Sequence, residues 1–142
     1  MPSERPAAIT KELSANDAGE TGGHQAGILI PKDEAILRFF PALDPREYNP
    51  RLHIRFTDTS GQAWTFAFIY YNNRFFGGTR NEYRLTCMTP FLRSHNLRAG
   101  DRLTLHRDGH SYRITCRRAG DQQTAGRIKL GSTWRVIPMR SD

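Results

Sequence analysis

Apolar and polar positions alternate most clearly over Arg51–Asp58. Leu52, Ile54 and Phe56 share one side and Arg51, His53 and Arg55 the other, and a period of two predicts a half-buried strand. After a turn at Gly61, Ala63–Tyr71 repeats the period with aromatic residues, Trp64, Phe66, Phe68 and Tyr70. Shorter apolar stretches predict strands at Ala7–Leu13, Ala26–Ile30, Tyr83–Cys87 and Trp134–Ile137. Leu103–His106 and Tyr112–Cys116 flank Asp108-Gly109, a strong hairpin signal. Two segments take the helical period instead. Asp33 can cap a helix over Glu34–Phe40, with Ile36, Leu37 and Phe40 on one face and Pro41 as its stop. Thr89-Pro90 opens another that runs to about His95, where Asn96 can close it in a left-handed conformation.

Seven or eight short strands and two short helices predict a mostly β, mostly antiparallel barrel-like sheet with helices at its ends. The 142 residues fit one domain spanning 1–142, with the proline-bearing residues 1–6 frayed. Two segments do not fit as ordinary connectors. Residues 14–26 and 72–82 are long, polar and glycine-bearing, and loops of that length in a compact domain are commonly functional.

Charge sharpens the question. The chain has 21 basic and 14 acidic residues, a net charge of +7, and a pI of about 10.0. Eighteen of the basic residues are Arg; only Lys11, Lys32 and Lys129 are Lys. A GC-rich genome can raise Arg over Lys, but it does not account for the net charge, which suits a polyanionic partner. Cys87 and Cys116 form no Cys-x-x-Cys pair, so buried free thiols in a reducing cytoplasm are expected rather than a disulfide framework or zinc site. No apolar run approaches membrane-spanning length, and the N-terminus lacks a signal peptide's apolar core.

The two long segments concentrate side chains able to read base edges. The first offers Ser14, Asn16, Asp17, His24 and Gln25; the second offers Arg74, Arg80, Asn81, Glu82 and Arg84. In the major groove Arg bonds guanine O6 and N7, Asn or Gln bonds adenine, and Asp or Glu accepts from cytosine N4. Arg80 and Glu82, two apart on an extended chain, are expected to project the same way, one toward a guanine and the other toward a neighbouring cytosine. Polar glycine- and asparagine-rich composition is also that of an idle solvated loop, so composition alone does not decide.

The stretches Ser14–Lys32 (SANDAGETGGHQAGILIPK) and Tyr70–Thr86 (YYNNRFFGGTRNEYRLT) resemble the N-terminal effector domain of the EcoRII restriction endonuclease family. The resemblance implies a DNA-binding pseudobarrel like the plant B-three domains. It implies two arms that grip the major groove, Ser14–Gln25 as N-arm and Arg74–Arg84 as C-arm. His24, Arg80, Glu82 and Arg84 match DNA-contacting positions of the family, and Lys11 matches a basic residue just before the N-arm. Three positions depart from the relative: Leu29 stands for Tyr, Gly78 for Lys, and Tyr83, still a candidate DNA contact, for Lys. The target the resemblance implies is a double-stranded CC(A/T)GG-like site, bound by a monomer that regulates a separate nuclease domain in a prokaryotic cytoplasm. No Lys stands two residues after an Asp or Glu, so no nuclease site is expected in this chain, and no cofactor for DNA binding.

Other chemistry is thinner. His106 and His110 flank the hairpin turn, and two His without a third ligand make a poor metal site. The period-two aromatic run can be a buried strand face or a stacking platform. The second possibility keeps a single-stranded nucleic-acid or RNA-binding barrel as the alternative function. No nucleophile or acid–base pair is recognisable, so no enzyme activity is expected.

Overall fold

In a computed structural model, residues 6–19, 27–121 and 134–137 are described. They carry eight strands: β1 Ala8–Glu12, β2 Ile28–Ile30, β3 Arg51–Thr57, β4 Ala63–Tyr71, β5 Glu82–Thr86, β6 Arg102–Asp108, β7 Ser111–Arg117 and β8 Arg135–Val136. The helices are α1, Glu34–Leu37, and α2, Thr89–Ser94. The strands join in one curled sheet ordered β2-β5-β4-β3-β7-β6-β1-β8. Neighbours run antiparallel except β3 and β7, which pair in parallel at Phe56–Tyr112 and Thr57–Arg113. The expected mostly β open pseudobarrel with two short helices is therefore the fold.

The alternating pattern fixes what lies inside. Ile54, Phe56, Phe66 and Phe68 are buried with Ile9, Leu13, Phe91, Leu103, Leu105 and Ile114. Of the two roles open to the aromatic run, the buried strand face holds: Phe66 and Phe68 fill the core, and Phe40 stacks on Phe68 at 4.3 Å. Leu52 keeps the expected face, paired with Phe68, but is 42% exposed at the start of β3.

Helix α1 is shorter than the expected Glu34–Phe40. Asp33 caps it, accepting from Ala35 N at 2.9 Å. Beyond Leu37 the amides of Phe39 and Phe40 bond three residues back, to Ile36 and Leu37. Two forces tighten the turn. Pro41 disfavours helical backbone at residue 40, and both Phe39 and Phe40 are buried, which adjacent positions on one helix cannot easily achieve. Helix α2 ends as the sequence predicts: Asn96 adopts φ 50° and Leu97 N reaches back to Leu92 O. The hairpin strands extend to Asp108 and Ser111, leaving Gly109-His110 as the loop. Gly109 has φ 65° and His110 is not in the positive-φ region, the pattern of a II′ rather than a I′ turn.

The expectation of buried thiols is corrected. Cys87 and Cys116 are free and exposed. Cys87 sits at φ 68° just past the end of β5, which turns its side chain out of the strand's alternation. Cys116 follows Ile114 on β7, but at a strand end that opens into a cleft of about 440 Å³ with His95, Leu97 and Arg118.

Asp58 closes the β3–β4 turn. Its carboxylate accepts from Trp64 Nε1 at 2.9 Å, Ser60 Oγ at 2.7 Å, and the amides of Ser60 and Gln62. The Trp64 indole, then the Ser60 hydroxyl, hold this carboxyl far below the usual carboxylate range. A folded-state pKa below the unfolded one contributes stability that is complete above the unfolded value and is lost as pH falls through the folded value. The thermal midpoint is therefore expected to decline progressively below about pH 4, and Asp58→Asn to flatten that decline. Parallel acid profiles for both proteins in calorimetry would remove Asp58 as the cause.

Candidate nucleic-acid interface

The outward face of the sheet is built by register. Directly paired residues of antiparallel strands share a face. Arg51 pairs with Ile69, Ile69 with Arg84, and Arg84 with Leu29. One row toward the second arm, Tyr71 pairs with Glu82; one row away, His53 pairs with Ala67 and Ala67 with Thr86. Arg51, His53 and Arg55, all exposed, thus lie on the same face as Glu82 and Arg84. The sequence singled out the second arm but not this β3 row or Tyr71. The alternation over Arg51–Asp58 contained the signal; what it lacked was the strand pairing.

On this face Glu82 is clasped from both sides. Arg80 Nη2 and Arg84 Nε each lie 2.7 Å from Glu82 Oε2, and among the described residues Oε1 accepts no bond. Burial raises the Glu82 pKa, and the hydrogen bonds from Arg80 and Arg84 outweigh it, holding the carboxyl below its ordinary value. Glu82 is therefore an anion near neutral pH, an acceptor only. Arg80 also stacks on Tyr71, its guanidinium carbon 3.8 Å from the ring centroid. Arg84 Nη1 donates to Gly27 O at 2.9 Å, so β5 is bonded to the residue just before β2. Gly27 has φ 93°, and a Cβ there would lie 2.6 Å from Leu85 O. Only glycine fits that close approach.

The segment 72–82 is held rather than loose. Asn73–Phe76 forms a 3-10 turn ending at Gly77 with φ 94°. The Asn73 side chain accepts from Arg80 N at 2.7 Å, and Arg74 N donates to Arg80 O at 2.9 Å. Asn72, fully buried, exchanges bonds with Asn49 and donates to Pro45 O and Glu47 O. Arg74, Phe75 and Phe76 are exposed on this turn. Asn81 is half-buried and accepts from Tyr70 Oη at 2.8 Å.

Several residues singled out in the sequence are buried, paired or turned to the inner face. Lys11 and Asp17 are 6% and 8% exposed and form a buried ion pair of 2.6 Å. Ser14 and Asp17 bond each other's amides through their side chains at 3.1 and 3.0 Å. These three tie residues 11–17 together: a buried ammonium or carboxylate left without its partner would carry a large desolvation cost. Asn16 is the exposed polar side chain there. Tyr83 alternates to the inner face, stacked on Tyr70 at 4.3 Å, and burial raises its phenol pKa. It packs against the core where Glu82 and Arg84 face out. His24 and Gln25 lie outside the described residues. His106 bonds Thr115 Oγ1 at 3.0 Å, and among the described residues no three His, Cys, Asp or Glu gather as metal ligands. No helix among them is long and apolar enough to cross a membrane.

Comparisons with known proteins bear on this geometry. Residues 4–97 match the family described as restriction endonuclease EcoRII, N-terminal. The chain is 43% identical over 84 residues to the type II restriction enzyme EcoRII of Escherichia coli, a match covering 54% of this chain and 19% of that enzyme. It is 34% identical over 128 residues to the B3 domain-containing transcription repressor VAL1 of Arabidopsis thaliana, covering 87% of this chain and 15% of that protein. Among solved structures, the Arabidopsis FUS3–DNA complex superposes with a TM-score of 0.60 at 27% identity, covering 78% of this chain and 95% of that one. The chain thus spans about a fifth or less of these two longer relatives.

Proposed function

This chain belongs to the family of the EcoRII N-terminal domain, and from that premise we propose that it reads a short double-stranded DNA site in the major groove. The site is CC(A/T)GG-like, gripped between the arms at 14–25 and 74–84. The domain serves as the DNA-reading, regulatory part of a larger restriction enzyme whose nuclease site lies outside this chain.

One observation carries the reading. Glu82 is pinned through one oxygen by two arginines on a basic sheet face, leaving an acceptor flanked by guanidinium donors. Cytosine N4 is the major-groove donor that suits such an acceptor, and guanine O6 and N7 are the acceptors that suit the arginines. A carboxylate and two arginines side by side therefore match adjacent C·G pairs. Arg51, Arg55 and Arg74 are exposed around them and suit phosphates, which set register without reading sequence. Asn16 and Asn81 supply further polar contacts, as do His24 and Gln25. The aromatic face that a single-strand binder would use for stacking is buried.

A mobility-shift competition tests this. A CC(A/T)GG duplex is expected to outcompete both a scrambled duplex and either single strand. Glu82→Gln is expected to remove roughly 1–3 kcal/mol of discrimination at one C·G pair while weakening non-specific binding little. Equal loss on every sequence would reduce Glu82 to a structural role, and preference for single strands would overturn the reading.

A further inference from the structure

We infer that Tyr71 is a positioning residue whose ring holds Arg80 in its reading geometry and thereby sets discrimination at the base pair Arg80 contacts. The inference rests on the DNA-reading function proposed above.

Arg80 lies outside any strand, two residues before β5, where a long side chain has no regular backbone to orient it. Four contacts replace that support. Its amide is held by Asn73 Oδ1 at 2.7 Å, and its carbonyl accepts from Arg74 N at 2.9 Å. Its guanidinium carbon sits 3.8 Å from the Tyr71 ring centroid. Its Nη2 lies 2.7 Å from Glu82 Oε2. The ring and the carboxylate constrain different motions. Stacking fixes the tilt of the guanidinium plane; the ion pair fixes its rotation within that plane. Tyr71 and Glu82 are direct cross-strand partners, so both constraints come from one rung of the sheet.

A guanidinium with one face covered presents its remaining donors edge-on, the approach that guanine O6 and N7 require. The order is present before DNA arrives, so less side-chain freedom is lost on binding. The ring supplies this, not the phenol: among the described residues the Tyr71 hydroxyl makes no hydrogen bond. Any planar π face should therefore serve, and Trp best of all. An ion pair alone leaves the plane free to tilt, so Glu82 cannot substitute for the ring.

The test measures affinity for a CC(A/T)GG duplex, for duplexes altered at one base pair each, and for a scrambled duplex. Tyr71→Leu is expected to lower discrimination at one guanine about fivefold to tenfold, leaving scrambled-duplex affinity within about twofold and the salt slope unchanged. Tyr71→Phe and Tyr71→Trp should restore discrimination. In an Arg80→Ala background Tyr71→Leu should change nothing further. Should Tyr71→Leu fail to melt cooperatively, Tyr71→Met replaces it with the same expectation. Full discrimination by the aliphatic variant, uniform loss on all duplexes, or loss in Tyr71→Phe equal to that in Tyr71→Leu each overturns the inference while DNA reading stands. A wild-type protein that distinguishes none of the duplexes overturns both.

Discussion

Asn72→Ala is expected to lower the free energy of unfolding by about 3 kcal/mol, on the order of 10 °C in Tm for a chain of this size. Asn72 is fully buried at the end of β4. Its Oδ1 accepts from Asn49 N at 2.8 Å, and its Nδ2 donates to Pro45 O at 3.0 Å and Glu47 O at 2.7 Å. Alanine removes three hydrogen bonds, to one amide and two carbonyls of half-buried or exposed residues, each worth about 0.5–1.5 kcal/mol. Asn49, held at φ 47°, loses the bond that offsets its strained backbone. Asn72→Asp should be at least as damaging, because a carboxylate would face two carbonyl oxygens. The consequence reaches the site: Asn72 immediately precedes the turn that presents Arg74 and supports Arg80, so DNA affinity should fall along with stability. A change below about 0.5 kcal/mol in chemical denaturation, the size of an ordinary surface substitution, would mean the network carries no weight.

Raising monovalent salt from about 50 to 200 mM is expected to weaken duplex binding several hundredfold. Each phosphate neutralised contributes a slope of about −0.9 in log K against log salt. Arg80 and Arg84 are engaged with Glu82, so the phosphate contacts fall to exposed groups: Arg51, His53, Arg55 and Arg74, with help from neighbouring arginines. About five contacts give a slope of about −4.5. Arg74→Ala and Arg51→Ala should each make that slope shallower by about 1 and weaken all sequences alike. Glu82→Gln should change discrimination and leave the slope nearly untouched. Titrations at four salt concentrations separate the two classes, and a flat response would argue against a phosphate-contacting surface altogether.

Much of this was legible along the chain because it depends on local spacing. Glu82 and Arg84 share a face because two residues of extended chain bring side chains to the same side. The hairpin at Gly109 and the close of α2 at Asn96 follow from backbone preferences of single residues. The stretches at 14–32 and 70–86 carry the family resemblance in their residues alone. What residue type and resemblance do not convey is burial. Lys11 and Asp17, both candidate contacts in the sequence, form a buried ion pair inside the fold. Tyr83 sits between two outward-facing residues, so alternation turns it to the inner face, half-buried against the core. The thiols of Cys87 and Cys116 have the composition of buried groups but stand at strand ends.

The sequence by itself determined the strands, the inward aromatic face, the excess of positive charge and the two long polar segments, since each is a property of neighbours within a few positions. Only the tertiary structure decided which arginines meet Glu82, that Tyr71 underlies Arg80, and that β3 brings Arg51, His53 and Arg55 to the same surface. Those facts depend on which strands pair and in what register. Pairing is a long-range outcome of burying one face of a curled sheet, and a shift of one residue would have turned every one of these side chains to the opposite side.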